Sequence, residues 1–145
     1  MIRILVVDDH ELVRKTLCSL LDAQPDFEVV SEATNGREAI RKAQEFKPDV
    51  VLLDIGLPEL NGLHAAPLIK RASPQSEILI VTQYEEQFFA RQALAAGARG
   101  FLTKAGVAAE LVSAVRTVHD REEFVGKRVG PAATKLAPAP SVSTK

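Results

Sequence analysis

At 145 residues the chain allows one domain with a sizeable core and some excess, with 46% hydrophobic and 26% charged residues as in an ordinary globular protein. A net charge of −1 gives no basic surface with which to hold nucleic acid or an anionic membrane. Cys18 is the only cysteine, which excludes an internal disulfide or thiolate metal cluster, and no apolar run approaches the ~20 residues of a membrane span, so a reducing cytoplasm is the expected compartment.

The first apolar run, Ile2–Val7, is aliphatic and too short for a globular helix, so it reads as a strand buried on both faces. It meets Asp8 and Asp9 too early for the apolar region of a signal peptide. Val13, Leu17, Leu20 and Leu21 then recur at helical spacing and predict a helix over 11–23. Phe27–Ala33 is a second strand, turned by Asn35-Gly36, and a second helix over 37–46 ends at Lys47-Pro48. Val50–Leu53 is a third strand, ending at Asp54. The Gly, Pro and Asn content of 56–62 marks a loop, and a third helix containing Pro67 runs from there to about Ala72.

Ile78–Val81 predicts a fourth strand followed by Thr82, and a fourth helix covers about Glu85–Ala96, closed by Gly97 in the left-handed conformation. Gly100–Leu102 predicts a fifth strand that leads to Lys104. The apolar stripe Ala108, Leu111, Val112, Val115 and Val118 then marks a fifth helix. Five strands alternating with five helices call for an α/β fold, a parallel sheet with helices on both faces. Residues 1–124 form this unit. Residues 125–145, with four basic residues, no acids and three prolines, read as a flexible Pro/Ala-rich tail.

Asp8, Asp9, Asp54, Thr82 and Lys104 follow or end four strands at their C-terminal edge, where open parallel sheets bind ligands. Three carboxylates within a few ångströms repel by roughly 4 kcal/mol per pair at ~4 Å and an effective dielectric near 20. A hard divalent cation such as Mg²⁺ relieves that repulsion. Lys104 adds a positive charge, Thr82 a hydroxyl donor, and Asp54 a nucleophile on the central strand, which together suit a phosphoryl group. His10, at the start of a helix, reads as a surface residue, and Cys18 as structural.

The segments Ile4-Leu5-Val6-Val7-Asp8-Asp9-His10, Asp49 to Pro58, Ile80-Val81-Thr82 and Gly100-Phe101-Leu102-Thr103-Lys104 resemble a response-regulator receiver domain over residues 1–120 or so. Asp8-Asp9-His10, Gly56-Leu57-Pro58 and Ala96 to Phe101 are most similar to the nitrate-response and nodulation-regulator subfamily. The resemblance implies a flavodoxin-like sheet of order 2-1-3-4-5. It implies phosphorylation of Asp54 by a histidine kinase, a phosphotransfer protein or a small donor such as acetyl phosphate. Mg²⁺ would be bound by Asp9, Asp54 and the Gly56 carbonyl, with Asp8 acting largely through water. Thr82 and Lys104 would hold the phosphoryl oxygens, and Phe101 would turn inward as Thr82 moves. Such a chain is no enzyme beyond its own phosphorylation and dephosphorylation.

Two positions depart from the pattern. Gln83 stands where the family usually places a small residue, and Ala105 follows Lys104 where many receivers carry proline. Tyr84 joins Gln83 as a candidate for the rim of the site. Three alternatives are weighed. A phosphatase with an aspartyl nucleophile would need an acid at position 56, where this chain has Gly56. A pseudo-receiver would keep the fold without phosphorylation, and Gln83 leaves it some room. A flavin site lacks a phosphate loop after the first strand. The subfamily's DNA-binding helix-turn-helix needs some 60 further residues of helical pattern, so no direct nucleic-acid binding is expected of this chain. The output partner stays open, as does a homodimer through the first or fifth helix.

Overall fold

The computed structural model describes residues 1–127. In chain order the elements are β1 (Ile2–Val7), α1 (Glu11–Asp22), β2 (Phe27–Ala33), α2 (Gly36–Phe46), β3 (Val50–Leu53), α3 (Gly62–Ala72), β4 (Glu77–Thr82), α4 (Gln87–Ala95), β5 (Gly100–Thr103), α5 (Val107–His119) and β6 (Phe124–Val125). The strands form one parallel sheet of order β2-β1-β3-β4-β5-β6. The α/β flavodoxin-like architecture expected from the sequence is present.

Side chains that alternate along each strand divide the core in two. Leu5, Val51, Leu53, Ile78, Ile80 and Phe101 pack with α2, α3 and α4. Ile4, Val6, Leu52, Leu79, Val81 and Leu102 pack on the other face with α1 and α5. Both faces of the central strands are therefore covered, which is why those strands read as unbroken apolar runs.

Three details differ from the sequence reading. A sixth strand extends the sheet: the Phe124 and Gly126 N–H groups donate to the carbonyls of Arg99 (3.2 Å) and Phe101 (2.9 Å). It pairs part of the edge that β5 would otherwise leave open, and two residues are too few to show a period. Val125, assigned by sequence to the tail, thus joins the sheet, while residues 128–145 lie outside the described residues. α4 starts at Gln87 rather than Glu85, behind an N-cap Glu86 whose side chain makes no capping bond. A 3₁₀ turn over Lys104–Gly106 precedes α5. Gly97 takes the expected left-handed conformation, with φ of 107°.

Local chemistry fixes the helix starts. The Asn35 side chain accepts the Glu38 N–H at 2.8 Å, and Glu38 in turn accepts the Thr34 N–H at 2.7 Å. The Thr34 N–H first, and then the Lys42 ammonium, hold the Glu38 carboxyl below its ordinary pKa. Asn61 caps α3 by accepting the His64 N–H at 3.0 Å. Gly62 opens that helix directly beneath the β3 end, where a Cβ would lie 2.1 Å from the Asp54 carbonyl oxygen. The atoms it would meet are backbone rather than the far end of a flexible side chain, and the Gly62 N–H is tied to the Ile55 carbonyl at 2.9 Å. Gly62→Ala is therefore expected to destabilise the fold by about 3 kcal/mol. By differential scanning calorimetry this reads as a midpoint lower by roughly 10 °C. A variant melting with the wild type would disprove this packing.

Candidate functional site

The C-terminal edge of the sheet gathers the charged residues because β1 and β3 are neighbours and end level, Val7 beside Leu53. Asp8 and Asp54 follow those two residues and are nearly inaccessible, at 1% and 4% exposure. Asp9, the next residue, stands further out, its side chain 30% exposed. Lys104 reaches in from the 3₁₀ turn after β5. Its ammonium lies 2.9 Å from Asp8 Oδ2 and 3.1 Å from Asp54 Oδ2, bridging the two buried acids. Burial opposes the ammonium, yet its bonds to Asp8 and Asp54 prevail and raise its pKa above that of ordinary lysine.

The remaining carboxylate oxygens are oriented by the backbone. Asp54 Oδ1 accepts the Gly56 N–H at 3.3 Å, and Asp8 Oδ1 accepts the His10 N–H at 2.8 Å. His10 occupies the N-cap position of α1 with its ring 61% exposed, as a surface residue would. The ring also touches the acids, its Nδ1 lying 3.2 Å from both Asp8 Oδ1 and Asp9 Oδ1.

The acids fit a divalent ion. One donor atom from each of Asp8, Asp9, His10 and Asp54 lies within 4.8 Å of the others. Donors around an ion with bonds of about 2.1 Å stand about 3–4 Å apart, so only small adjustments are needed. Three carboxylates and one ammonium also leave two negative charges, which one divalent cation neutralises. Oxygen donors with partial solvent access suit Mg²⁺.

Thr82 ends β4 fully buried, and its Oγ1 has no hydrogen-bond partner among the described residues. Phe101 is also fully buried, so its ring already lies inside the core rather than waiting outside it. Gln83 is exposed. Tyr84 is half-buried and stacks on Phe89, with ring centroids 4.7 Å apart. Gly56 is exposed, and a Cβ there would meet nothing within 4 Å. Cys18 lies on α1, half-buried, and burial pushes its thiol up to about 11, which makes it unreactive at neutral pH.

Two residues near the site escaped the sequence reading. Arg14 donates from Nη1 to the Asp8 carbonyl at 2.8 Å and from Nε to Glu32 at 2.9 Å, tying the acidic loop to β2. Thr103 ends β5 beside Thr82, 1% exposed and also without a partner for Oγ1 among the described residues. Its only signal in the sequence is its place just before Lys104.

The comparisons agree with this geometry. Residues 4–116 match the family model described as response regulator receiver domain. The response regulator GacA of Pseudomonas viridiflava is 40% identical over 129 residues, covering 89% of this chain and 60% of that protein. VraR of Staphylococcus aureus is 41% identical over 115 residues, covering 79% and 55%. The chain thus spans somewhat over half the length of the curated relatives it matches. A crystal structure of a two-component response regulator of the LuxR family from Aurantimonas sp. SI85-9A1 is similar with a TM-score of 0.84 and 35% identity, covering 93% of this chain and 94% of that one. Acids and a lysine meeting at one sheet edge, and a family match over most of the chain, lead to one conclusion: it belongs to the receiver-domain family of two-component response regulators.

Proposed function

We propose that the chain is a phosphorylation-driven signalling module in which Asp54 accepts a phosphoryl group and thereby changes what the domain binds. The observation that carries this reading is the Lys104 ammonium held between Asp8 and Asp54 at the end of the central strands. A buried carboxylate with a fixed cation beside it is a nucleophile with charge compensation already in place.

In the transfer, an Asp54 carboxylate oxygen attacks phosphorus. The P–N bond of a phosphorylated histidine on a kinase or phosphotransfer protein breaks, and the imidazole leaves with a proton. With acetyl phosphate the P–O bond breaks and acetate leaves. Lys104 then stays against one phosphoryl oxygen, and the Thr82 hydroxyl, unpaired in this structure, donates to another. Asp9, Asp54 and the Gly56 carbonyl would hold Mg²⁺, with Asp8 behind them, and the ion would supply positive charge to the phosphoryl oxygens as they transfer. Phe101 shares the core with α4, so a shift of Thr82 is felt on the surface formed by α4, β5 and α5. The domain performs only its own phosphorylation and dephosphorylation. Position 56 holds no acid to release product, which argues against a phosphatase.

Among the described residues no helix is long and apolar enough to cross a membrane. With its single thiol the module fits the reducing cytoplasm, where a sensor kinase would present its phosphohistidine. A homodimer would use α1 and α5: Leu12 is 78% exposed beside a hollow of about 200 Å³ between these helices.

Intact mass spectrometry after incubation with acetyl phosphate tests the reading. The expected result is a gain of one phosphoryl group with Mg²⁺ present and none with chelator. No gain under either condition would leave a binding module of the pseudo-receiver type. Gln83, exposed just past Thr82, stands where a long amide crowds the approach to Asp54. Gln83→Ala is expected to speed both gain and loss of the phosphoryl group about threefold, less than 1 kcal/mol in barrier. Unchanged rates for both reactions refute that role.

A further inference from the structure

Thr82 and Thr103 end adjacent strands and stand opposite one another in the β4–β5 register. Ile80 and Phe101, two residues earlier on the same strands, belong to the core beneath α2, α3 and α4, so strand alternation puts both threonines on that face. Thr82 is 0% and Thr103 1% exposed, and neither Oγ1 has a hydrogen-bond partner among the described residues.

An unpaired buried hydroxyl is costly, and native proteins hold few of them. Here two lie side by side. Neighbouring strands are about 4.8 Å apart, so a change of χ1 between staggered wells at either residue brings the two oxygens within bonding reach. Each hydroxyl can donate or accept, so the pair can satisfy itself.

We infer that Thr103 is a positioning residue for Thr82: the two hydroxyls bond to each other in the unphosphorylated domain, and Thr82 must leave Thr103 to donate to a phosphoryl oxygen on Asp54. The inference rests on the reading of Asp54 as phosphoacceptor and Thr82 as phosphoryl contact. Its consequence is a bias toward the resting state. When Thr82 turns to the phosphoryl group, Thr103 stays buried and unpaired, and that loss offsets part of the gain at the site.

Thr103→Val keeps the shape of the side chain and removes its hydroxyl, and Thr103→Ser keeps the hydroxyl. Beryllofluoride, a phosphoryl mimic, is titrated into each folded chain in Mg²⁺, with the methyl resonance of Thr82 followed by NMR. Thr103→Val is expected to bind about fivefold more tightly than wild type, the worth of one ordinary hydrogen bond. In the absence of beryllofluoride its Thr82 methyl signal should be shifted toward the saturated position. Thr103→Ser should behave as the wild type does in both measurements. Equal affinity in wild type and Thr103→Val overturns the inference and leaves the phosphoacceptor reading intact. Weaker binding by Thr103→Val overturns it too, as does tightening by Thr103→Ser equal to that by valine, since packing rather than the hydroxyl would then matter. A wild-type chain that takes up no beryllofluoride overturns both readings.

Discussion

Asp54→Asn is expected to gain no phosphoryl group from acetyl phosphate under conditions that label the wild-type chain completely, with intact mass as the readout. The substituted side chain should keep its position. Asp54 is 4% exposed, and its Oδ2 is held by Lys104 at 3.1 Å and its Oδ1 by the Gly56 N–H at 3.3 Å; the single amide oxygen of asparagine keeps the bond to Lys104. What changes is the chemistry. A carboxylate oxygen carries the charge and the lone pair that attack phosphorus, and an amide oxygen is a far poorer nucleophile. The site also falls from two excess negative charges to one. Coulomb energies of about 4 kcal/mol per charge pair at 4 Å leave ample room for a tenfold loss of Mg²⁺ affinity, measurable by titration calorimetry. Thermal stability should change by less than about 1 kcal/mol, because the shape is kept and like-charge repulsion with Asp8 is relieved. A mass gain that persists in Asp54→Asn would move the acceptor to Asp8 or Asp9 and sink the assignment.

Lys104→Met is expected to move two measurements in opposite directions. Without the ammonium, Asp8 and Asp54 face each other as buried carboxylates, and three negative charges stand uncompensated. Mg²⁺ should then bind about tenfold more tightly, and its addition should raise the thermal midpoint more than in the wild type. Phosphorylation should nevertheless slow by about a hundredfold, as expected when one preorganised cation is removed from the oxygens that develop charge. A variant that loses Mg²⁺ affinity and phosphorylation together would indicate that Lys104 merely holds the loops in place.

Lys104 also sets a pH dependence. Its pKa is raised in the folded domain, so its contribution to stability is complete below the ordinary lysine value and is lost as pH rises through the raised one. Thermal melts across the strongly alkaline range should show a fall in wild-type stability that Lys104→Met lacks. Between neutral and mildly alkaline pH the two curves should run parallel.

The chain order of elements was legible because each central strand is buried on both faces and so cannot carry a polar residue until its end. Asp8, Asp54 and Lys104 are conspicuous for that reason: each breaks or follows an apolar run whose length marks a strand. The five expected strands stand in the expected order, and the sheet adds Phe124–Val125, whose pairing depends on the neighbouring edge of β5 rather than on any local pattern. α4 starts two residues later than the local pattern predicts, since Glu85 and Glu86 are adequate helix formers and nothing local forbids a helix there.

Thus the sequence alone determined the parallel α/β fold, the residues at the strand ends and the kind of charge the site holds, because burial period and strand length are local properties of the chain. Only the tertiary structure decided that one ammonium bridges Asp8 and Asp54, that His10 Nδ1 leans on both acids of its loop, that Arg14 ties that loop to β2, and that Thr103 stands opposite Thr82 in the strand register. These are contacts between segments up to about a hundred residues apart. Their distances follow from sheet order, register and side-chain packing, which no single stretch of the chain encodes.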